Sequence, residues 1–365
     1  MIFCVFFAVW IIGFGVWLLV KTPSDISVSE RRALSRPPEL TAKSVGDGTF
    51  FTKVESYLLD QFPLRETFRR IKAVTRCSLL RQTDNHGIVI RNGHAAQIET
   101  PTQKSVDLLF KRLGQLTEKL GGEDGTHCFF ATLIPDKMFF LGEEIGYPTV
   151  DYTALRARMT TDAPGTYLDS FDLLTLDDYY ATDLHWRQEC IVDVADALLS
   201  GMGRQTNANL RKETLDAPFY GVYYGQAALP LAPDEMTLVR SDVTDHARVL
   251  RMTNNAKGFE DGVIYDEGKI SGGDPYDVFL GGACPVTVLE NPLNESGAKL
   301  CLFSDSYGRS LAPLLLCGYS RIVIYDVRYI SVSLAQAMMP IAEDADVLFA
   351  FSMATVDIAS ELRAD

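Results

Sequence analysis

The chain opens with an unbroken run of apolar and uncharged residues, followed directly by polar sequence. Residues 2–20 read IFCVFFAVWIIGFGVWLLV and carry no charge. A helix of this length is close to what is required to cross the hydrocarbon core of a bilayer. No basic stretch precedes the run and no small-residue cleavage site follows it, which distinguishes it from a secretory signal peptide. The pattern therefore predicts a transmembrane anchor at residues 1–20.

The pattern after the anchor predicts a linker and then one large domain. Residues 21–48 are polar, contain prolines and lack a helical or strand period, as in a linker. From residue 49 onward, amphipathic segments, the first interrupted at Pro63, alternate with apolar runs of strand length. This alternation predicts that residues 49–365 form an α/β domain, with a mainly parallel sheet flanked by helices. Within it, residues of about 203–274 are rich in turns and polar side chains and predict an insertion.

Particular segments carry more specific predictions. Continuous apolar runs, as in buried parallel strands, occur at THCFFATLIP (126–135), KLCLFSD (299–305), RIVIYDV (321–327) and DVLFAFS (346–352). Shorter strands are predicted at FYGVYYG (219–225), MTLVRS (236–241), GVIYD (262–266) and DVFLGG (277–282).

Charge, cysteine content and the absence of nucleotide-binding motifs restrict which ligands the chain is predicted to bind. The net charge is -14 at pH 7. Nucleic acid is excluded as a partner, because binding its phosphates requires an excess of Lys and Arg. The seven cysteines are scattered, without a C-x-x-C pair, so no metal site is predicted. They are interpreted as mostly buried free thiols, with one disulfide left open. No phosphate-binding or dinucleotide-binding loop occurs in the domain, and no cofactor is predicted.

A serine lies where a predicted strand ends and a helix begins. Residues 300–310 read LCLFSDSYGRS, and reactive groups of open α/β sheets lie beyond the carboxyl ends of the strands. Ser306 is a candidate nucleophile at this edge, and the N–H groups of Tyr307 and Gly308 are candidate oxyanion donors. Gly308 would also let the backbone approach a substrate closely. The alternative is that the serine only caps the helix.

The stretch TDLHW is the candidate partner of that serine. Asp183 precedes His185 by two residues, so in an extended segment both side chains point to one face. A carboxylate beside an imidazole fixes the tautomer and stabilises the imidazolium, as in a Ser-His-Asp triad. Trp186 could form a wall of the site. The alternative is a local hydrogen bond within a turn.

These motifs together resemble the DHHW family of Gram-positive bacteria, which is related to the alginate O-acetyltransferase proteins of the SGNH hydrolase type. The resemblance covers nearly the whole chain and is carried, in the family order, by SERRALSRPPEL, DQFPLR, YYATDLHW, DPYDVFLGG, FSDSYGRSLAPLL and IVIYDVRYI. It implies a permuted SGNH-like fold with Ser306 as nucleophile, His185 as base and Asp183 as orienting acid. The first His of the family motif is Leu184 here, which leaves these three positions intact.

The resemblance also implies an activity. It implies a serine O-acetyltransferase or acetylesterase that acts outside the cytoplasm on a cell-surface polysaccharide, with a membrane-bound O-acyltransferase as acetyl donor. Arg328, in DVRY, is a candidate for oxyanion or substrate binding, or forms a salt bridge with an acid such as Asp326. A non-catalytic glycan-binding or envelope scaffold protein on the same fold remains the alternative, so enzymatic activity is left open.

The orientation of the anchor is a point of conflict. The positive-inside rule, applied to the basic residues that follow the span, predicts a cytoplasmic domain; these residues are Lys21, Arg31, Arg32 and Arg36. The family resemblance implies the opposite orientation, and we adopt it as the expectation.

Overall fold

The structure is a computed structural model that describes residues 2–98, 101–122, 125–147, 149–206, 208–253 and 258–365. In chain order the helices are α1 (Ile2–Val20), α2 (Ala42–Gly46), α3 (Thr49–Gln61), α4 (Arg65–Val74), α5 (Gln103–Lys119), α6 (Lys137–Ile145), α7 (Tyr152–Asp162), α8 (Val192–Gly201), α9 (Val222–Ala227), α10 (Asp242–His246), α11 (Gly308–Leu315), α12 (Val332–Met338) and α13 (Met353–Asp357). The strands are β1 (Ile26–Ser27), β2 (Arg32–Ala33), β3 (Asp84–Asn85), β4 (Ile88–Arg91), β5 (His94–Gln97), β6 (Phe129–Ile134), β7 (Thr166–Tyr167), β8 (Arg211–Phe219), β9 (Asp234–Arg240), β10 (Arg248–Met252), β11 (Phe259–Gly262), β12 (Val286–Glu290), β13 (Lys299–Ser304), β14 (Arg321–Tyr325) and β15 (Asp346–Ser352).

The chain divides into two compact units. The first unit comprises Met1–Val89 and Val222–Ala232, and the second comprises Ile90–Gly221 and Pro233–Asp365. The first unit thus groups the predicted anchor and linker with α3, α4 and a piece of the predicted insertion. The second unit holds the large sheet.

The sheet of the second unit has the strand order β11-β10-β12-β14-β13-β15-β6-β7. Strands β14, β13, β15, β6 and β7 run parallel, and β10, β11 and β12 form an antiparallel extension at one side. Successive side chains of β13 enter different apolar clusters, Leu302 with α8 and α11, and Phe303 with α5 and α12, because side chains alternate across a strand. The predicted mainly parallel α/β sheet flanked by helices is confirmed.

Three of the shorter predicted strands are wrong. DVFLGG contributes to a 3-10 helix at Pro275–Val278 and a turn, where Leu280, Gly281 and Gly282 all have positive φ. FYGVYYG is the end of β8 followed by α9. GVIYD contributes only its first residue, Gly262, to β11, and makes an isolated bridge between Tyr265 and Phe279. Aromatic and β-branched residues raise strand propensity, but here the glycines turn the chain before a ladder can form. MTLVRS is confirmed over residues 236–240, which belong to β9.

The first unit contains the apolar helix and the helices around Pro63. Phe3–Val20 of α1 is long and apolar enough to cross a membrane, with a mean hydropathy of 2.6. Helices α3 and α4 are separated at Phe62–Leu64 by the predicted break. The predicted linker contains β1 and β2, which pair with each other, and α2.

The cysteines are all free thiols, but most are not buried. Cys301 on β13 is buried, and burial raises the pKa of its thiol well above the usual range. Cys4 and Cys128 are exposed, and the others are partly exposed. The expectation of mostly buried thiols is therefore wrong, because an apolar stretch of sequence also contains positions at strand ends that reach solvent.

Candidate active site

The candidate nucleophile lies on a tightly held turn between β13 and α11. Ser306 is half-buried there, at the carboxyl end of the parallel strands. The carboxylate of Asp305 holds the turn, because it accepts hydrogen bonds from the Tyr307 N–H (3.0 Å), the Ser352 N–H (2.8 Å) and the hydroxyls of Ser352 (2.6 Å) and Thr355 (2.7 Å). The turn that carries Ser306 is thereby fixed to the end of β15 and the start of α13.

Ser306, His185 and Asp183 are hydrogen-bonded in series. The Oγ of Ser306 is 2.7 Å from Nε2 of His185, and Nδ1 of His185 is 2.6 Å from Oδ1 of Asp183. The Asp183 side chain is fully buried and His185 is 4% exposed. The same carboxylate oxygen also accepts the backbone N–H of His185 at 3.1 Å.

The backbone of this segment differs from the sequence expectation. Residues 181–185 form bends rather than an extended strand. The local turn bond and the bond from imidazole to carboxylate, taken as alternatives from the sequence, are both present. The bend brings the carboxylate beside the ring, and alternation along a strand is not required.

Two tyrosines hold the plane of the imidazole. The Tyr276 ring stacks on His185 with centroids 3.7 Å apart and an angle of 5° between the planes. The Tyr307 ring lies 5.0 Å away at a tilt, and its hydroxyl donates to the Leu184 carbonyl at 2.6 Å. The ring of His185 is therefore restrained on its faces as well as at both nitrogens.

Ser310 on α11 joins these groups beneath the site. Its Oγ accepts hydrogen bonds from the Trp186 indole N–H and the Tyr276 hydroxyl, both at 2.8 Å, and donates to the Tyr307 carbonyl at 3.3 Å. Trp186 is fully buried. It therefore supports the site from below and does not form the predicted wall.

The segment that precedes Asp183 is held by a second carboxylate. Asp234 accepts hydrogen bonds from the N–H groups of Ala181 (2.7 Å) and Thr182 (2.8 Å) and from the Thr182 hydroxyl (2.6 Å). The Thr182 hydroxyl in turn accepts the Gly221 N–H at 2.8 Å. A Cβ at Gly221 would lie 2.4 Å from Cβ of Asp183, so only glycine fits this position without displacing the acid.

A buried lysine holds the opposite side of the same segment. The Nζ of Lys137 donates to the carbonyl oxygens of Ala95 (2.7 Å), Tyr180 and Ala181 (3.4 Å). Burial lowers the pKa of Lys137 to about 7, although the carboxylates of Asp183 and Asp234 act in the opposite direction. Nothing in the local sequence around residue 137 indicates this role, because its partners are distant along the chain.

The predicted oxyanion donors have other partners. The Tyr307 N–H donates to the Asp305 side chain, and the Gly308 N–H donates to the Asp305 carbonyl at 3.1 Å. A Cβ at Gly308 would lie 2.3 Å from Oγ of Ser304, so this glycine accommodates Ser304. Helix α11 begins at Gly308, two residues after Ser306, and its first N–H groups are therefore used by the turn itself.

Arg328 forms the salt bridge that the sequence left as its alternative. Its guanidinium binds Asp326 through two hydrogen bonds, of 2.8 and 2.6 Å. The structure does not bring it into contact with the three residues in series. Burial raises the pKa of Asp326, with Arg328 acting against the rise.

A hydroxyl, an imidazole and a carboxylate in series at the edge of a parallel sheet are the arrangement of the Ser-His-Asp class of acyl-transfer and hydrolytic enzymes. The model of the DHHW protein family matches residues 174–325 of this chain, the stretch that includes Asp183, His185, Tyr276 and Ser306. The resemblance to the DHHW family is thereby confirmed. No curated protein shows significant similarity to the chain.

Solved structures share the fold. A DHHW family protein from Eubacterium siraeum is 20% identical, with a TM-score of 0.59 over 77% of this chain and 96% of that one. PatB1 from Bacillus cereus is 13% identical, with a TM-score of 0.59 over 74% of this chain and 96% of that one. The O-acetyltransferase domain of AlgJ from Pseudomonas putida is 13% identical, with a TM-score of 0.45 over 74% and 92%. At these identities, the first two show that the fold is shared.

Proposed function

We propose that this chain is a membrane-anchored serine O-acetyltransferase or acetylesterase that acts on a cell-surface polysaccharide through an acyl-serine intermediate. The observation that carries the proposal is the series of hydrogen bonds from Ser306 through His185 to Asp183, at 2.7 and 2.6 Å. The acetyl group and the polysaccharide follow from the resemblance to the DHHW family.

In the first half-reaction, Oγ of Ser306 attacks the carbonyl carbon of an acetyl donor while Nε2 of His185 takes the hydroxyl proton. Asp183 accepts the Nδ1–H and stabilises the imidazolium. The bond to the leaving group breaks, and the imidazolium returns the proton to that group. The Ser306 N–H makes no hydrogen bond within the described residues, and we assign it as an oxyanion donor.

In the second half-reaction, an acceptor hydroxyl attacks the acetyl-serine. His185 takes the proton of the acceptor and delivers it to Oγ as the acyl bond breaks, which restores Ser306. A sugar hydroxyl as acceptor gives transfer, and water gives hydrolysis. The same residues serve both reactions, and neither reaction requires a cofactor.

Membrane attachment belongs to the same proposal. Helix α1 would cross the bilayer once, with the remaining chain outside the cytoplasm, as the family resemblance implies. A membrane-bound O-acyltransferase would bring the acetyl group to the outer face.

Covalent labelling tests the nucleophile. PatB1, one of the structural neighbours, has been determined with a sulfonyl adduct, which makes a sulfonyl fluoride a suitable probe beside a fluorophosphonate. We expect the folded chain to be labelled once and Ser306→Ala to be unlabelled. Ser304→Ala is the matched control in the same motif, since the Ser304 hydroxyl donates to the Ala350 carbonyl at 2.8 Å, and it should keep the label. A folded wild-type chain that takes no label contradicts the proposal and favours the non-catalytic alternative.

An acceptor assay separates the two reactions. The chain is mixed with an activated acetyl ester, with and without cell-wall polysaccharide, and acetate and acetylated glycan are measured. Acetylated glycan that depends on Ser306 supports transfer, and acetate alone supports hydrolysis.

A further inference from the structure

The first unit carries an apolar surface whose position relative to α1 is defined by direct contacts. The Phe62 ring, directly after α3, stacks on Phe14 of α1 with centroids 5.3 Å apart and planes 3° apart. The Phe68 ring on α4 meets both, at 6.0 Å from Phe14 and 5.7 Å from Phe62. The junction between α3 and α4 is therefore packed against the apolar helix itself.

These contacts set the depth of the junction. Phe14 lies six residues before the end of α1 at Val20, which is about 9 Å along the axis of an α-helix. If α1 spans a bilayer, as proposed above, Phe14 is inside the hydrocarbon region. Side chains that pack on Phe14 from outside the helix then also lie below the headgroup level.

Gln61, the polar residue next to this junction, binds the chain just after the C-terminal end of α1. The side-chain amide of Gln61 accepts the Ser24 N–H at 2.9 Å and donates to the Ser24 carbonyl at 2.8 Å. The Gln61 carbonyl accepts from the Lys21 ammonium at 3.4 Å. The chain therefore passes from a polar layer at Gln61 to an apolar layer at Phe62 within one residue, as at a membrane interface.

Further apolar side chains on α3 and α4 are exposed. Ile71 lies three residues after Phe68 on α4 and shares its face, and Leu64 is the residue that directly precedes α4. Leu64 and Ile71 are 50% and 55% exposed. Phe51, Leu58 and Leu59 on α3 are exposed as well. Water is an unfavourable surrounding for such a set of side chains, which in soluble proteins marks an interaction surface.

The charge of this part of the chain favours an anionic surface. Residues 21–89 contain twelve Lys and Arg and eight Asp and Glu, a net charge of +4, whereas residues 90–365 have a net charge of -18. Within the hairpin the positive charge lies on α4, which carries four basic residues and one acidic residue. Arg65 and Arg69 form ion pairs with Glu30 and Glu66, which leaves Arg70 and Lys72 for anionic headgroups. A basic amphipathic helix binds the headgroup boundary of membranes through buried apolar area and attraction to anionic lipid.

We infer that the hairpin of α3 and α4 is inserted in the bilayer interface beside α1, with Phe62, Leu64, Phe68 and Ile71 among the acyl chains and the basic residues at anionic headgroups. The molecules that cover this apolar surface of α3 and α4 are lipids. The inference rests on the proposed anchor, and it gives α3 and α4 a role apart from the α/β domain in which the sequence pattern placed them.

Photo-crosslinking from single positions tests the inference. Full-length chain with benzoylphenylalanine at Leu64 is reconstituted in vesicles of phosphatidylcholine and phosphatidylglycerol, irradiated and analysed for lipid adducts by mass spectrometry. Two similarly exposed positions are matched controls, Ile11 in α1 and Leu293 in the second unit. We expect adducts at Leu64 comparable to those at Ile11 and on the order of tenfold above those at Leu293.

The other outcomes overturn the inference in distinguishable ways. Lipid adducts at Ile11 without adducts at Leu64 overturn the inserted hairpin and leave the anchor standing. Adducts at neither position overturn both. Adducts of Leu64 to protein instead of lipid, in vesicles or in cell membranes, identify a protein partner and overturn the lipid assignment. A Leu64 yield that is unchanged when phosphatidylglycerol is omitted overturns the electrostatic part.

Discussion

In the second unit, apolar side chains pack into a buried cluster on each face of a sheet, whereas in the first unit many of them face outward. The second unit is strongly acidic and its candidate site is built from internal hydrogen bonds. The first unit is basic, and its buried groups include the polar side chains of Asp60 and Gln61. Asp60 is bound by Arg32 and Ser35, and these bonds hold the pKa of its carboxyl far below the usual range.

The difference indicates two different surroundings. A unit with a buried apolar core and an acidic surface is stable and soluble in water. Helices with exposed apolar side chains are stable in contact with lipid, which is the surrounding that we propose for the first unit. If both proposals hold, the chemistry belongs to the second unit and the membrane contact to the first, and substitutions in one unit should leave the function of the other intact.

The largest expected effect is at the acid. Asp183→Asn keeps the size of the side chain but no longer stabilises the imidazolium, so kcat for an acetyl ester should fall about 10⁴-fold. Lipid crosslinking from Leu64 should not change. Asp193→Asn, at an exposed position on α8, is the control and should retain full activity. An equal loss in the control, or activity retained in Asp183→Asn, contradicts the assigned role.

The next effect concerns Lys137 as a positioning residue. Lys137→Met removes the donor to the Tyr180 and Ala181 carbonyl oxygens, in the segment that precedes Asp183. A misplaced acid should lower kcat about 10- to 100-fold with little change in KM. Lys111→Met, an exposed lysine on α5, is the matched control. A change in KM alone, with kcat intact, is incompatible with a positioning role.

Lys137 should also make stability depend on pH. Its pKa in the folded chain is about 7, lowered from 10.5 by burial, so between these values the unfolded chain binds more protons than the folded chain. The free energy of unfolding should therefore rise with pH above about 7, by up to about 1.4 kcal/mol per pH unit from this group. Urea unfolding of the full chain in micelles at pH 7 and 9 measures the difference, and Lys137→Met should lack this contribution.

The smallest expected effect is in the first unit. Phe62→Ala removes the stacking on Phe14, and amide exchange around residues 62–68 should become about tenfold faster, because aromatic pairs contribute roughly 0.5–1.5 kcal/mol. Activity on a soluble ester should be unchanged. Phe51→Ala, which alters an exposed ring on α3, should leave the exchange at 62–68 as it was. A loss of activity in Phe62→Ala would break the division of roles between the units.

The parts of the site that could be predicted are those with short sequence signals. Asp183 and His185 are two residues apart, and Ser306 follows an apolar run, which made them candidates. A helix cap and a local turn bond remained as alternatives, and the resemblance to the DHHW family supplied the three roles. Lys137 and Tyr276 reach the site only through the tertiary fold, and a lone Lys or Tyr in a sequence has no feature that marks it. The role of Gly308 was also not predictable from the sequence, because the group that requires a glycine there is the side chain of Ser304, at the end of β13.

The fold shows a similar division. Long apolar runs such as β13 and β15 predicted central strands, because a strand buried on both faces needs apolar side chains throughout. The strand predicted at residues 277–282 did not form, because Gly281 and Gly282 adopt positive φ and turn the chain.

The attachment of Asp305 to Ser352 and Thr355 has a consequence for biogenesis. Strand β15 lies between β13 and β6, so the central part of the sheet is completed only by residues 346–352, and the turn that carries Ser306 gains its anchoring bonds only then. A nascent chain that has exposed His185 and Ser306 but not yet these later residues has every reacting group and no assembled site. The acyl chemistry that we propose would then be withheld during synthesis until the sheet has closed.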